Sequence, residues 1–343
     1  MNDAGAEPLR TAVVGLGYWG PNIVRVLHEI PEAAPVAVCD LSEARLAKIG
    51  ARYPALELTQ SYEDLLDDPE IEAIAIATSV STHYPLALAA LDAGKHVFIE
   101  KPMAGSSIEA EHLATVAAEN ELTLMPGHTF LYSPPVNIVR DLIQSGELGD
   151  IYFISMSRVN LGLHQSDVSV IWDLGPHDFS ILRYWLGERP TSISSVTRSC
   201  IIDGIPDVAF ISLGYRSDTI AHVELSWLAP SKLRRTAVVG SQKMVVYDDT
   251  SNEPVRIFDA GVNLPDPQDF GQYRLSYRTG DIVSPAIVPA EPLALELSDF
   301  CQAIANDHEP RSSAAIGMDV IATIEAAEQA AGVGGPIAAG ITW

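Results

Sequence analysis

An acid and an imidazole interrupt an apolar segment near the middle of the chain. Residues 172–182 read WDLGPHDFSIL, which places Asp173 and His177 four positions apart. Burying ionisable groups is costly unless they are paired, so the pair indicates either a helix cap with a hydrogen-bonded histidine or a reactive site. If a helix begins near Asp173, Pro176 falls in its first turn, where proline is tolerated. Asp173 and His177 then lie one turn apart on the same face.

A lysine follows an apolar segment that is predicted to be a strand. Residues 96–104 read HVFIEKPMA, so Lys101 and Pro102 come directly after the strand. In a doubly wound sheet, ligands bind beyond the carboxyl ends of the strands, where a lysine can exchange a proton with a substrate oxygen. The alternative is a surface lysine paired with Glu100.

A glycine-rich turn near the N-terminus predicts a dinucleotide site. Residues 15–20 read GLGYWG, a G-x-G-x-x-G pattern between a predicted strand and a predicted helix. The glycines allow a tight turn and the close approach of a pyrophosphate to the helix N-terminus. Asp40 ends the second predicted strand, where an acid binds the adenosine ribose hydroxyls. A carboxylate there repels a 2′-phosphate and favours NAD over NADP; a loop acid without a ligand is the alternative.

The first part of the chain alternates short apolar runs with helical stretches. This alternation is typical of a parallel sheet covered by helices on both faces. We therefore predict an α/β fold whose N-terminal domain, residues 1–126, is a doubly wound Rossmann sheet.

After residue 150, several predicted strands alternate apolar and polar residues, as strands with one covered face do. This pattern predicts a C-terminal α+β domain, residues 127–343, with a large, mostly antiparallel open sheet. The predicted irregular and helical segments are a long loop or arm over 259–290 and helices around 173–186, 292–306 and 314–331.

The overall composition excludes several classes of partner. The 343 residues include 45 acidic against 21 basic residues, a net charge of −24, which argues against nucleic acid. The acidic charge attracts cationic substrates or serves only solubility. There is no apolar run long enough for a membrane span, and the polar start does not resemble a secretory signal. Three widely spaced cysteines, Cys39, Cys200 and Cys301, fit neither a disulfide framework nor a zinc site. We expect a cytoplasmic protein without a metal centre.

Four segments together resemble the Gfo/Idh/MocA family of glucose–fructose oxidoreductase and inositol dehydrogenase relatives. They read GLGYWGPN, IATSVSTHYPLALAALDAGKHVFIEKPMA, GHTFLYSP and RVNLGL…IWDLGPHDFSIL. The resemblance covers about half of the chain. It implies a Rossmann domain with an open-sheet C-terminal domain, and NAD(P)-dependent oxidation or reduction of a sugar or cyclitol hydroxyl. Lys101 matches the catalytic lysine of the family, Pro102 the following proline, which is often cis, and Asp173 and His177 its Asp-x-x-x-His pair facing the nicotinamide.

The resemblance assigns roles to the candidate residues. His177 takes the hydroxyl proton as hydride leaves the carbon, and Asp173 binds the neighbouring hydroxyl or orients Lys101 or the imidazole. The predicted cofactor contacts are Gly15, Gly17, Tyr18, Trp19, Gly20, Asp40, Thr78, Ser79, His83, Glu100, Lys101 and His128. The predicted substrate contacts are Lys101, Tyr132, Arg158, Asn160, His164, Trp172, Asp173 and His177. His128 and Phe130 are expected near the nicotinamide, with inter-domain packing as the alternative, and helix capping is the alternative for His83. Arg158 and Asn160 are otherwise outward residues at a strand end, and Trp172 is otherwise a core residue.

The function expected from these residues is that of an NAD-dependent dehydrogenase, which oxidises a secondary ring hydroxyl to a ketone. The hydroxyl at C3 is the first candidate. The alternatives are an NAD(P)H-dependent 3-ketosugar reductase, a nucleotide-sugar or inositol dehydrogenase, an NAD-using glycosidase and a non-catalytic dinucleotide sensor. The acids Asp167, Asp173 and Asp178 near His177 favour an amino sugar or aminoglycoside, as in antibiotic biosynthesis. The segment before Asp173 lacks the Gly-Gly run that some relatives carry there, so the sequence does not determine which sugar is the substrate. The open sheet suggests a homodimer or homotetramer.

Overall fold

A parallel sheet organises the N-terminal part of the structure, a computed structural model that describes residues 7–162, 164, 168–263, 276–333 and 337–338. Its six strands are arranged in the order β3-β2-β1-β4-β5-β6. The strands and the helices between them are β1 (Leu9–Val14), α1 (Gly20–Glu29), β2 (Ala33–Cys39), α2 (Glu43–Arg52), β3 (Glu57–Thr59), α3 (Tyr62–Asp67), β4 (Ala73–Ile76), α4 (Val80–Asp92), β5 (His96–Glu100), α5 (Ser107–Glu119) and β6 (Leu124–Gly127).

The central strands of this sheet are apolar along their whole length because both of their faces are covered. β4 reads AIAI and is buried at every position, and β5 is buried from Val97 to Glu100. Runs of this kind are typical of parallel strands between two layers of helices. The strand order reverses direction between β1 and β4, so loops at their carboxyl ends diverge and leave a crevice suited to a ligand. The prediction of a Rossmann sheet is confirmed.

A second sheet of nine strands has the order β14-β13-β12-β11-β7-β10-β9-β8-β15. All of its pairings are antiparallel except that of β7 with β10. The prediction of a mostly antiparallel sheet is confirmed. The elements of this part of the chain are α6 (Pro134–Gln144), β7 (Ile151–Leu161), α7 (Val170–Leu186), β8 (Ser192–Arg198), β9 (Val208–Gly214), β10 (Ile220–Ser226), β11 (Leu228–Gly240), β12 (Met244–Asp248), β13 (Val255–Asn263), β14 (Ser276–Val283), α8 (Pro292–Ala305), α9 (Ala314–Val333) and β15 (Ile337–Ala338).

The chain divides into two compact units. The first unit is Met1–Tyr132 with Ala290–Ala322, and the second is Ser133–Pro289 with Thr323–Trp343. These bounds differ from a division at residue 126, because α8 packs on α1 and so joins the first unit. A long-range contact of this kind leaves no mark in the local sequence.

Two local predictions need correction. The helix that carries Asp173 begins at Val170 with Ser169 as its N-cap residue, so Pro176 lies in its interior and not in its first turn. The predicted arm over 259–290 contains β14, which pairs with β13. The sequence did not predict α6, whose Pro134 and Pro135 occupy the first helical positions, where a missing N–H costs nothing.

Candidate active site

The glycine turn between β1 and α1 is shaped for a ligand that approaches the backbone. Gly15 has φ of 89°, and a Cβ there would lie 2.7 Å from the carbonyl oxygen of Ala77. A Cβ at Gly20 would overlap the carbonyl oxygen of Gly15, whereas Gly17 has no atom within 4 Å of that position. Two glycines therefore close the turn and the third leaves open space beside the N-terminus of α1, where backbone N–H groups favour a phosphate. The turn fits the pyrophosphate of a dinucleotide.

The tip of this turn carries two exposed aromatic side chains. Tyr18 and Trp19 are 82% and 44% exposed, and their rings meet edge to face at 5.4 Å. Trp19 occupies the N-cap position of α1, and no side chain caps the helix there. The first-turn N–H groups of α1 thus have no side-chain cap that competes with a bound anion.

Asp40, directly after β2, is tied to the glycine turn. Its Oδ2 accepts the N–H of Leu16 at 2.6 Å and its Oδ1 accepts the N–H of Ser42 at 2.8 Å. Each carboxylate oxygen has two lone pairs, so acceptor capacity remains for ribose hydroxyls. Arg45 lies 3.5 Å from Oδ2 and is mostly exposed. Asp40 thus fits the ribose site, with a cation close by.

Asp40→Ser is expected to narrow the preference for NADH over NADPH by about 10-fold, because it removes the charge that repels a 2′-phosphate and releases Arg45 to bind it. Fluorescence titration with both cofactors measures the two affinities. Asp40→Ser combined with Arg45→Ala serves as the control and should lose the gain in NADPH affinity. Equal binding of NADPH and NADH by the unaltered protein would contradict the role of Asp40.

Thr78 and Ser79 lie at the carboxyl end of β4, as predicted, but His83 has a different place. His83 is 1% exposed, and its ring nitrogens lie 2.8 Å from the carbonyl oxygen of Pro102 and 3.2 Å from that of Thr78. Burial lowers the pKa of His83, and the charge of Lys101 lowers it further. The contact of His83 with the cofactor stays a prediction, and in the structure both ring nitrogens face the backbone of the loops after β4 and β5.

Lys101 follows β5 and has two buried ionisable neighbours. Glu100 accepts the backbone N–H of Lys101 at 3.3 Å, and burial raises the pKa of this carboxyl to about 7. Burial lowers the pKa of His128 to about 3, and the charge of Lys101 acts in the same direction. The Lys101–Pro102 peptide bond is cis. Lys101 is thus the partly exposed cation of a cluster whose other members are buried.

His128 directly follows β6 and keeps its ring neutral in the folded chain. It is 1% exposed, and neither ring nitrogen has a hydrogen-bond partner among the described residues. The unfolded chain protonates this ring near its ordinary pKa of 6.5, whereas the folded chain does so only near 3. Above about pH 6.5 the ring is neutral in both states and does not reduce the free energy of unfolding. As the pH falls from about 6.5 toward 3, only the unfolded chain takes up the proton, so the free energy of unfolding decreases.

The variant His128→Asn is therefore expected to lose less stability than the unaltered protein between about pH 6.5 and pH 4, because one proton-linked equilibrium is gone. Urea unfolding at a series of pH values measures the difference. The matched control is His112→Asn, at an exposed position on α5, which should leave the pH dependence unchanged. Parallel curves for His128→Asn and the unaltered protein would refute the expectation.

Two residues of α8 hold the turn Thr129–Tyr132 that follows His128. Glu296, fully buried, accepts the hydroxyl of Thr129 at 2.6 Å, and burial raises the pKa of Glu296 well above its ordinary value. Asp299 accepts the hydroxyl of Tyr132 at 2.6 Å, and Tyr132 is 2% exposed. The contact of Tyr132 with substrate stays a prediction, and in the structure its hydroxyl is bonded inside the first unit.

In the second unit, the two predicted reactive side chains lie on one face of α7. Asp173 and His177 are one turn apart and partly exposed, between residues that are buried, such as Ile171 and Phe179. Asp173 does not cap the helix, because its own N–H donates to the carbonyl oxygen of Ser169. Its Oδ2 accepts the indole N–H of Trp227 at 3.0 Å. The placement of the pair on one face agrees with the spacing.

The other contacts near Asp173 are made around Trp227, a residue that was not predicted from the sequence. The ring of His164 meets that of Trp227 edge to face at 5.4 Å, and His164 Nε2 lies 3.9 Å from Asp207 Oδ2. Asn160 is the penultimate residue of β7 and lies close to Gly162, which lies against Trp227. Trp172 instead donates its indole N–H to Glu328 at 3.0 Å. The structure thus brings Asp173, Asn160 and His164 around Trp227, and Asp167 lies outside the described residues.

Arg158 and Asp178 form a buried ion pair. Arg158 Nε and Nη2 donate to the two oxygens of Asp178 at 2.9 and 2.8 Å, and the side chains are 5% and 3% exposed. Burial opposes the charge on Arg158, but Asp178 outweighs it and the pKa of the guanidinium is raised. The assignment of Arg158 as a substrate contact stays a prediction, and the structure pairs its guanidinium with Asp178 in a buried position. Asp178 no longer counts among acids that attract a cationic substrate.

Comparison with known proteins agrees with this architecture. Residues 9–128 match the GFO_IDH_MocA model, described as oxidoreductase family, NAD-binding Rossmann fold, and residues 136–246 match the GFO/IDH/MocA C-terminal domain. The chain therefore belongs to the GFO/IDH/MocA oxidoreductase family, and the predicted resemblance is confirmed. It is an oxidoreductase with an NAD-binding Rossmann domain.

Curated relatives and solved structures cover most of the chain. UDP-N-acetylglucosamine 3-dehydrogenase of Acidithiobacillus ferrooxidans is 26% identical over 88% of this chain and 90% of its own length. Its solved structure has a TM-score of 0.78 and covers 94% of this chain and 97% of that one. The scyllo-inositol 2-dehydrogenase (NAD(+)) of Bacillus subtilis is 26% identical over 92% and 90%. GenD2 from gentamicin A biosynthesis, in complex with NAD, is 21% identical with a TM-score of 0.82, covers 97% of each chain and shares the fold.

Two features are absent from the described residues. No helix there is long and apolar enough to cross a membrane. No group of three or more histidine, cysteine, aspartate or glutamate side chains in the same ranges could hold a metal ion.

Proposed function

We propose that the protein is an NAD-dependent dehydrogenase that oxidises a secondary ring hydroxyl of a sugar to a ketone. The hydroxyl at C3 is the first candidate. The observation that carries this proposal is the position of Lys101 at the carboxyl end of β5, in the same sheet as the glycine turn after β1. A lysine in that position suits proton exchange at a substrate oxygen. The relatives named above support a cyclic polyol as substrate.

Bound NAD supplies the acceptor for the hydride that leaves the substrate carbon. The glycine turn and Asp40 hold the cofactor, and Thr78 and Ser79 contact it. His177 takes the proton of the reacting hydroxyl, and Lys101 stabilises the oxygen as its charge develops. Asp173 accepts a neighbouring hydroxyl and orients the sugar. The family resemblance supports the roles of Lys101, Asp173 and His177.

A sensor that only binds the dinucleotide is the alternative from another class. It does not require an ionisable pair on one face of α7, whereas Asp173 and His177 occupy that face and remain partly exposed. Burial of both would have indicated a structural role. The pair therefore favours an enzyme over a sensor.

The choice of sugar rests on the relatives more than on charge. UDP-N-acetylglucosamine 3-dehydrogenase, by its name, acts at position 3 of an amino-sugar ring. Since Arg158 neutralises Asp178, the acids near His177 are weaker support for an aminoglycoside than the sequence suggested. An amino sugar therefore remains the finer proposal, and the relative supports it more strongly than Asp173 and the net charge of −24 do.

The test is NADH formation with a panel of UDP-N-acetylglucosamine, a dTDP-sugar, scyllo-inositol, glucose and an aminoglycoside. Oxidation of any of them, with the ketone located by mass spectrometry after borodeuteride reduction, supports the dehydrogenase. If the aminoglycoside is the best substrate, its kcat/KM should fall as salt rises, because exposed charges are screened within about 8–10 Å at physiological ionic strength. Faster turnover of a nucleotide sugar than of the aminoglycoside would overturn an aminoglycoside as the substrate, and no oxidation at all would overturn the dehydrogenase.

We also propose self-association through the nine-stranded sheet. One of its faces presents Phe153, Val196, Phe210 and Ile220, which are 44%, 70%, 44% and 57% exposed. The strand register places the four on the same face of the sheet, and exposed apolar groups on one face favour a partner surface. Light scattering after gel filtration should give a dimer or tetramer, and Phe210→Lys should shift it toward monomer. A monomeric unaltered protein would contradict this proposal.

A further inference from the structure

Trp227 forms the bend between β10 and β11 and is held from both sides. Its N–H donates to the carbonyl oxygen of Asp207 and its carbonyl oxygen accepts the N–H of Gly162, both at 3.0 Å. Gly162 directly follows β7 and Asp207 directly precedes β9. The backbone from which the indole projects is therefore anchored to the ends of two other strands.

The indole ring lies in a closely fitted space. It is 1% exposed, and a Cβ at Gly162 would lie 3.1 Å from its Cδ1 and 3.1 Å from Asn160 Nδ2. His164 meets the ring edge to face. Asp207 holds the nearby loop through the N–H groups of Cys200 and Ile201, its Oδ2 lying 2.9 Å from each nitrogen. Contacts on several sides thus leave the indole one position.

From that position the indole N–H reaches Asp173 Oδ2 at 3.0 Å. A hydrogen bond to a carboxylate is stronger than one between neutral groups. The terminal torsion of an aspartate is otherwise broad and weakly restrained. A rigid donor on one oxygen therefore selects one orientation of the carboxylate on the face of α7 that also carries His177.

We propose that Trp227 is a positioning residue that holds the Asp173 carboxylate in its working orientation. The inference rests on the proposed function, in which Asp173 accepts a hydroxyl next to the reacting one. Small errors in the orientation of such a group are costly, because much of catalysis comes from holding reactants in alignment. Trp227 acts through Asp173 and need not touch substrate or cofactor.

The kinetic test is Trp227→Phe, which keeps an aromatic ring and removes the N–H. Its kcat/KM for the sugar should fall about 10- to 100-fold, the effect of one hydrogen bond to a charged group, while the affinity for NADH stays within about twofold. In an Asp173→Ala background the same substitution should change kcat/KM by less than about twofold, since there is no carboxylate left to position.

Trp185→Phe is the matched control. Trp185 is also 1% exposed, and its indole N–H donates at 2.9 Å to the carbonyl oxygen of Val136. This substitution removes a buried indole donor of the same kind in the same unit, so it should lower the free energy of unfolding and leave kcat/KM unchanged. Gly162→Ala is a second variant that keeps the N–H but displaces the ring, and it should give an intermediate loss of kcat/KM.

Indole ¹⁵N–¹H spectra of the five tryptophans provide a readout that needs no substrate. The Trp227 signal, assigned by its absence from Trp227→Phe, should move upfield in Asp173→Ala, and the Trp185 signal should stay. If no sugar is oxidised, the proposed function fails, and the Trp227 signal alone decides the positioning role. A Trp227 signal that does not move, or a kinetic loss that persists in the Asp173→Ala background, overturns the proposal.

Discussion

Lys101→Met is expected to lower kcat by roughly 10²–10⁴-fold, the usual effect of losing a positioned acid–base group. Methionine keeps most of the length of the side chain and removes only the ammonium. The glycine turn and Asp40, which are proposed to hold the cofactor, follow β1 and β2, whereas Lys101 follows β5. NAD affinity should therefore stay within a few-fold. Steady-state rates and a fluorescence titration with NADH measure both quantities.

The matched control for this variant is Lys95→Met in the same unit. Lys95 is 6% exposed and its Nζ donates to the carbonyl oxygens of Asp68 and Ile71 at 2.7 and 2.8 Å. Its loss should lower the free energy of unfolding because two buried acceptors lose their donor, with little effect on kcat. A Lys101→Met protein with the kcat of the unaltered protein would place the chemistry elsewhere.

The second large effect concerns stability. Asp178→Ala should lower the free energy of unfolding by about 3–5 kcal/mol, because it leaves the Arg158 guanidinium buried without its carboxylate. Urea unfolding followed by tryptophan fluorescence measures the loss. Replacing both residues together, Arg158→Met with Asp178→Leu, should recover most of it, since neither buried charge then remains.

An exposed ion pair of the same unit provides the control. Lys243 and Glu147 meet at 2.6 Å with side chains 33% and 42% exposed, so Glu147→Ala should cost no more than about 1 kcal/mol. If Arg158 bound substrate instead, Arg158→Met would lower kcat/KM and leave the free energy of unfolding nearly unchanged. That outcome would support the prediction that Arg158 contacts the substrate.

Local patterns were sufficient for the features that depend on neighbouring residues. The turn at residues 15–20 needs glycine because a Cβ would meet backbone, and this requirement is written in the sequence itself. The strand before Lys101 is apolar because it is buried on both faces, so the order of strand, lysine and proline can be read directly. Asp173 and His177 share a face because a helix repeats about every four residues.

Pairings between distant residues could not be read in the same way. Arg158 and Asp178 are 20 positions apart, and Trp227 and Asp173 are 54 apart. Nothing in either segment states which polar side chain will meet a partner once β7, α7 and β10 pack together. The sequence therefore predicts Arg158 as a substrate contact and does not single out Trp227, although the indole of Trp227 donates to the predicted reactive residue Asp173.

By itself, then, the sequence determined the class of fold, the dinucleotide turn and the positions of Lys101, Asp173 and His177, because each depends on the geometry of one strand, one turn or one helix. Only the tertiary structure decided which ionisable groups are buried, paired or left accessible. His83, Tyr132, Arg158 and Asp178 resemble site residues in the sequence, yet each is bonded within its own unit. The physical reason is that desolvation and pairing are set by long-range packing, which the local pattern of residues does not encode.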